Sequence, residues 1–227
     1  MFIFKLLFAI FWNLVIFGGL LFLPAGTLDW WRAWVFLGIV LVGTFATIIV
    51  VFRENEELLD ERFKLPIQPE QPLADKIIAS LLVVTFLGLI AFIPVDVFRL
   101  HLFDRPGGII SASGLLLFIT GWLIISLSFK ANTFAIPVVK YQAERQQTVI
   151  DTGVYSIVRH PMYAGAALMI VGMSLWLESY AAALLAIAPI TLLIVRILFE
   201  EQFLKQELKG YDSYTEKVRY RLLPYLW

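Results

Sequence analysis

The sequence predicts an all-α fold: a polytopic membrane helix bundle of about six transmembrane helices, ending in a C-terminal helical hairpin and a helical cap. Three observations carry this. Of 227 residues, 60% are hydrophobic and only 16% charged, whereas soluble domains carry roughly a quarter charged residues. Mean hydropathy is +0.82, and apolar runs of about 20 residues, enough to cross a bilayer, recur along the chain. The 18 basic residues fall almost entirely into alternate gaps between those runs. A soluble globular domain and a disordered chain are both excluded by the same figures.

Taken in order, the runs place helices at about 2–23, 33–52, 76–98, 109–130, 162–179 and 181–199. The first carries a single basic residue, Lys5, and is too long for a signal peptide, so it is expected to be a retained anchor. Trp30, Trp31 and Trp34 bracket the start of the second span as interfacial aromatics do. The segment from Arg53 to Asp75, rich in charge and holding Pro66, Pro69 and Pro72, is expected to be a solvated linker, with a flap over a site as the alternative. The gap near Glu178 to Tyr180 is so short that the last two spans form a hairpin. Beyond them EEQFLKQELKG continues the helix to a C-cap at Gly210, and DSYTEKVRY forms a short helix of an interfacial cap.

Six spans put 15 basic residues on the side of both termini and of the two long polar segments, and only Arg32, Arg99 and Arg105 on the other. The positive-inside rule then predicts a multi-pass protein with cytoplasmic N- and C-termini. Formal net charge is zero, which argues against a nucleic-acid partner. There is no cysteine, and His101 and His160 stand in no ligand spacing, so no metal is expected.

All eight tyrosines lie after residue 140, and so does the densest mixture of polar and apolar side chains. The division expected is residues 1–131 as four N-terminal spans and 132–227 as the functional region. The stretch from Asn132 to Tyr163, NTFAIPVVKYQAERQQTVIDTGVYSIVRHPMY, is a long loop of the kind that usually serves function. Pro161 suits the first turn of a helix, and Arg159 and His160 in front of it would reinforce an anion site at that helix start. A flank obeying the positive-inside rule is the plainer alternative. Arg196 and Glu200, four apart near the end of the sixth span, share a helical face and are expected to pair. An ionisable residue behind the apolar run ITLLIV is either functional or a snorkelling arginine.

Gly153 to Tyr155, the run Arg159, His160, Pro161, Met162, Tyr163, the run from Arg196 to Glu200 and Glu201, and then GYDSYTEKVRYRLLP occur in an order and spacing that resemble the isoprenylcysteine carboxyl methyltransferase family and its prokaryotic relatives. The resemblance covers about residues 132–227; the first 131 are similar in hydropathy alone. It implies an integral membrane methyltransferase that uses S-adenosylmethionine without a Rossmann domain, and the sequence holds no GxGxxG after a strand. By the same resemblance the cofactor contacts are Gln147, Thr148, Val149, Ile150, Tyr155, His160, Pro161, Met162, Tyr163 and Glu200. Arg196 faces the substrate as the catalytic residue, Asn132 is a further substrate contact, and Glu201 a further candidate.

Eukaryotic members of that family carry a histidine soon after the Asn-Phe pair and tryptophans after the last tyrosine of the motif. Here those places read Ala135, Ile136 and Ala164 to Leu168. The resemblance therefore implies a lipophilic small-molecule or lipidated acceptor, with membrane lipid around it, more firmly than it implies a prenylcysteine. Three other readings stay open: a phospholipid-amine or small-thiol methyltransferase, an NADPH-dependent lipid reductase of the steroid-reductase type, and a non-enzymatic membrane scaffold.

Overall fold

The computed structural model describes residues 2–65, 67–68 and 71–227; Pro66, Pro69 and Glu70 of the expected linker lie outside the described residues. Among those described the chain is all-helical: α1 (Phe2–Ala25), α2 (Trp31–Val50), α3 (Glu56–Phe63), α4 (Leu73–Val95), α5 (Gly108–Ala131), α6 (Pro161–Trp176), α7 (Tyr180–Leu185), α8 (Ile187–Glu207) and α9 (Tyr211–Lys217). Five segments, Leu7–Ala25, Trp31–Val50, Leu73–Leu100, Gly108–Ala131 and Tyr180–Glu207, are long and apolar enough to cross a membrane. The chain is an integral multi-pass membrane protein.

Two expected spans differ in detail. The candidate at 162–179 stops at Trp176 and has 16 residues, about 24 Å at 1.5 Å per residue, short of a hydrocarbon core of about 30 Å. The candidate at 181–199 is broken at Ala186 between α7 and α8 and then runs on to Glu207. Pro189 explains the break, because its missing N–H would have bonded to the Leu185 carbonyl.

The closest backbone approach is between α5 and α6, which run antiparallel. A Cβ on Gly121 would stand 2.4 Å from the Gly165 carbonyl, and one on Gly172 would stand 2.5 Å from the Gly114 carbonyl. Only glycine fits at these crossings, which is how helices pack where lipid supplies no hydrophobic drive. Around this pair Phe36, Ile90, Ile93, Met173, Leu177 and Ile197 form the core.

The two ends of the bundle differ. At one, Arg32 pairs with Glu178 at 3.2 Å and donates to the Trp176 carbonyl at 3.2 Å, while the Trp176 indole returns a bond to the Arg32 carbonyl at 3.0 Å. Asp96, in the π turn that follows α4, accepts from Ser179 at 2.6 Å and from the Leu102 amide, which ties that end to the α6–α7 turn. The opposite end gathers the C-termini of α2, α5 and α8, the start of α4 and α6, and the tail.

The segment after α2 is more than a solvated linker. Asn55 caps α3 by accepting from the Leu58 amide, and Leu58 and Leu59 are buried against Phe52, Phe129, Ala135 and Ile136. Arg62 donates to the Ala135 carbonyl at 3.3 Å, and Arg145 pairs with Glu57 at 2.9 Å. This segment thus straps the loop that follows α5.

Candidate functional site

The site starts from the turn that opens α6. Pro161 is the first helical residue, as its fixed φ favours. The Arg159 and His160 amides donate to the Tyr220 and Arg221 carbonyls, each at 2.9 Å, so the tail lies beside this turn as a short ladder. The Arg159 guanidinium donates to the Val218 and Arg219 carbonyls at 2.7 and 2.8 Å and to Glu201 at 2.6 Å. Glu201 also meets His160 Nε2 at 3.2 Å and accepts from Arg221 Nε at 2.8 Å. The anion expected to sit at Arg159 and His160 is therefore an internal one, the Glu201 carboxylate, and the cluster fastens the tail to α6 and α8.

The expected pairing of Arg196 with Glu200 does not form. Arg196 Nε donates to Asp75 Oδ1 at 2.9 Å, and its Nη2 donates to Asp75 Oδ2 at 3.4 Å and to the Pro137 carbonyl at 2.7 Å. Glu200 instead accepts from the Tyr163 hydroxyl at 2.5 Å. A carboxylate and a carbonyl offered together outbid a single helical neighbour, because the guanidinium fork satisfies several donors at once. Among the described residues Arg196 Nη1 makes no hydrogen bond, and Arg196 lines the cavity.

That cavity lies between the loop after α5 and the helices α6 and α8. Its loop wall carries Asn132, Gln147, Thr148, Val149 and Ile150, and its helical wall Tyr155, His160, Met162, Tyr163, Arg196 and Glu200. Of the candidates named from sequence, Pro161 does not face the cavity and is fully buried at the helix start, while Glu201 is spent on the cluster behind it. The loop is shaped by Gln142, almost fully buried. Its Nε2 donates to the Phe134 carbonyl at 2.9 Å, its Oε1 accepts from Arg145 at 2.7 Å, and its amide donates to Gln147 Oε1 at 3.0 Å. Asn132 Oδ1 accepts from the Phe134 amide at 2.9 Å and so begins the same turn.

Residues that sequence reasoning missed also face the cavity: Phe134, Phe203, Tyr211 and Tyr214. The Tyr214 hydroxyl donates to the Tyr155 carbonyl at 2.7 Å. Burial pushes the Tyr155 phenol up to about 12 and raises Tyr211 and Tyr214 as well, so these phenols are neutral at physiological pH. Among the described lining residues Glu200 is the sole acidic side chain. The result is an aromatic chamber lined by one carboxylate, Glu200, and by the basic side chains of Lys140, Arg159 and Arg196. Its aromatic faces and Glu200 are the groups there that could meet a ligand's positive charge. Among the described residues no group of three His, Cys, Asp or Glu side chains could hold a metal ion.

Comparison with known proteins gives one family model, described as phospholipid methyltransferase, which matches residues 109–209. The matched segment runs from α5 to the end of α8 and contains every site residue named from the sequence, from Asn132 to Glu201. Tyr211 and Tyr214 line the cavity from outside the matched segment, and Asp75 meets Arg196 from outside it. No curated protein matches the chain. A solved structure of the eukaryotic intramembrane Ras methyltransferase, an isoprenylcysteine carboxyl methyltransferase, is similar at 20% identity and a TM-score of 0.49, over 97% of this chain and 85% of that one.

Proposed function

We propose that this protein is an S-adenosylmethionine-dependent methyltransferase that acts on a lipophilic acceptor at the cytoplasmic rim of the membrane. The observation that carries the reading is the cavity lined mostly by residues of the matched segment, where the phenols of Tyr155, Tyr163, Tyr211 and Tyr214 share one lining with the carboxylate of Glu200 and with Arg196. When bound, S-adenosylmethionine supplies a methyl group on a sulfonium cation. Glu200, oriented by the Tyr163 hydroxyl, would accept from cofactor hydroxyl or ammonium groups, and Tyr155 and Tyr163 would present aromatic surface to the cationic end. Residues Gln147 to Ile150, His160 and Met162 would complete the cofactor wall.

Arg196 would hold an anionic acceptor group through Nη1, with Asn132 at the edge of the same chamber. Little acid–base work is needed of such a site. Positioning and exclusion of water do most of what a methyl transfer requires, and the apolar walls weaken the screening between opposite charges brought together there. The basic excess at this end of the bundle supports a cytoplasmic placement of the mouth and of both termini. The family description favours a second acceptor, a phospholipid headgroup amine, which would have to arrive unprotonated.

A thermal-shift panel in detergent tests the reading. S-adenosylhomocysteine should raise the melting temperature in a saturable way and NADPH should not; stabilisation by NADPH alone, or by neither, overturns it.

A further inference from the structure

The position of the Arg196 guanidinium is decided by a residue 121 places earlier in the chain. On α8 alone, Arg196 and Glu200 stand one helical turn apart, the spacing at which opposite charges meet. Such a pair would engage the chamber's one carboxylate with Arg196. Asp75 prevents this. It sits in the first turn of α4, 3% exposed, and takes both Nε and Nη2 of Arg196. Its Oδ2 also accepts from the Val139 amide at 2.8 Å and from Gln71 Nε2 at 2.5 Å, so the carboxylate is clamped on the loop side of the cavity. The Pro137 carbonyl adds a further acceptor on that side. Arg196 is drawn toward the loop, and Glu200 is left to Tyr163 and the chamber.

We propose that Asp75 is a positioning residue that keeps Arg196 and Glu200 from neutralising each other, so that one cavity presents an anionic and a cationic end at once. This rests on the methyltransferase reading above. The consequence is asymmetric. Replacing Asp75 by its neutral isostere should harm the Glu200 end, which Asp75 does not touch, because the released guanidinium falls back on Glu200.

The test is S-adenosylhomocysteine affinity in detergent, by calorimetry, with thermal unfolding as the check on folding. Asp75→Asn should bind about tenfold or more weakly than wild type, the scale of one charge-assisted hydrogen bond. Arg196→Ala should bind close to wild type. The double variant Asp75→Asn with Arg196→Ala should recover the affinity of Arg196→Ala, since the competing cation is gone. Loss of a merely structural contact to Val139 would not be rescued in this way. The comparison of Arg196→Ala with the double variant stands even if Asp75→Asn alone does not fold, because the double variant strands no buried cation; a weaker double variant shows that Asp75 acts independently of Arg196 and overturns the proposal. Wild-type affinity in folded Asp75→Asn overturns the Asp75 assignment alone. Absence of binding by wild-type protein overturns the methyltransferase reading, and this proposal with it.

Discussion

Arg159 and Glu201, 42 residues apart, meet at 2.6 Å with both side chains almost wholly removed from solvent. The same carboxylate takes His160 and Arg221, so one acidic residue of α8 anchors both the turn before α6 and the tail. Removing one member of a buried pair leaves the other charge uncompensated, at a cost of about 3–5 kcal/mol. Glu201→Ala is therefore expected to lower the melting temperature sharply with or without ligand, read by thermal unfolding in detergent. A variant that melts with wild type would show that the cluster contributes nothing to the fold.

The α5–α6 crossing makes a separate stability prediction. Gly121→Leu places a side chain where even a Cβ would be 2.4 Å from the Gly165 carbonyl, and overpacking of this kind typically costs about 1–3 kcal/mol or more. Folded yield after size exclusion should fall. Gly88→Leu serves as the control, since a Cβ there meets nothing within 4 Å.

The long apolar helices follow from hydropathy because every backbone polar group in lipid must be satisfied within the segment. What hydropathy cannot reach is contact between segments. Asp75 looks like an ordinary acidic residue in a helix first turn, and nothing local marks it as the partner of Arg196. The Arg196–Glu200 expectation failed for the same reason: helical spacing identifies neighbours on one helix and is blind to a carboxylate and a carbonyl arriving from elsewhere. Some signals were present but not used. In EELLDERF, Leu58, Leu59 and Phe63 fall on one face, which marks α3 as a packed helix despite its charge. Gly114 and Gly121 repeat at the spacing of Gly165 and Gly172, the mark of a close crossing.

The chamber's carboxylate makes a binding prediction. Glu200→Gln should weaken S-adenosylhomocysteine about tenfold, as loss of a charge-assisted contact does. Tyr163→Phe, which removes only the orienting hydroxyl, should cost less. Unchanged affinity in Glu200→Gln would remove that residue from the cofactor site.

The buried phenol of Tyr155 sets an alkaline limit. Its ionisation lies near 10 when unfolded and is pushed up to about 12 in the folded chain, chiefly by burial. The folded state favours the protonated phenol, so the stability linked to it is complete below pH 10 and is lost as pH rises toward 12. Melting temperature followed across that interval should fall for wild type and fall less for Tyr155→Phe. Identical slopes would show that the Tyr155 phenol is not buried as described.

The most direct test of the central claim is transfer of a labelled methyl group from S-adenosylmethionine into a lipid extract by the purified protein. Wild type should label an apolar product, and Arg196→Ala should leave that product unlabelled while still binding S-adenosylhomocysteine. Failure of wild type to transfer label to any acceptor in the extract, or equal transfer by Arg196→Ala, would contradict it.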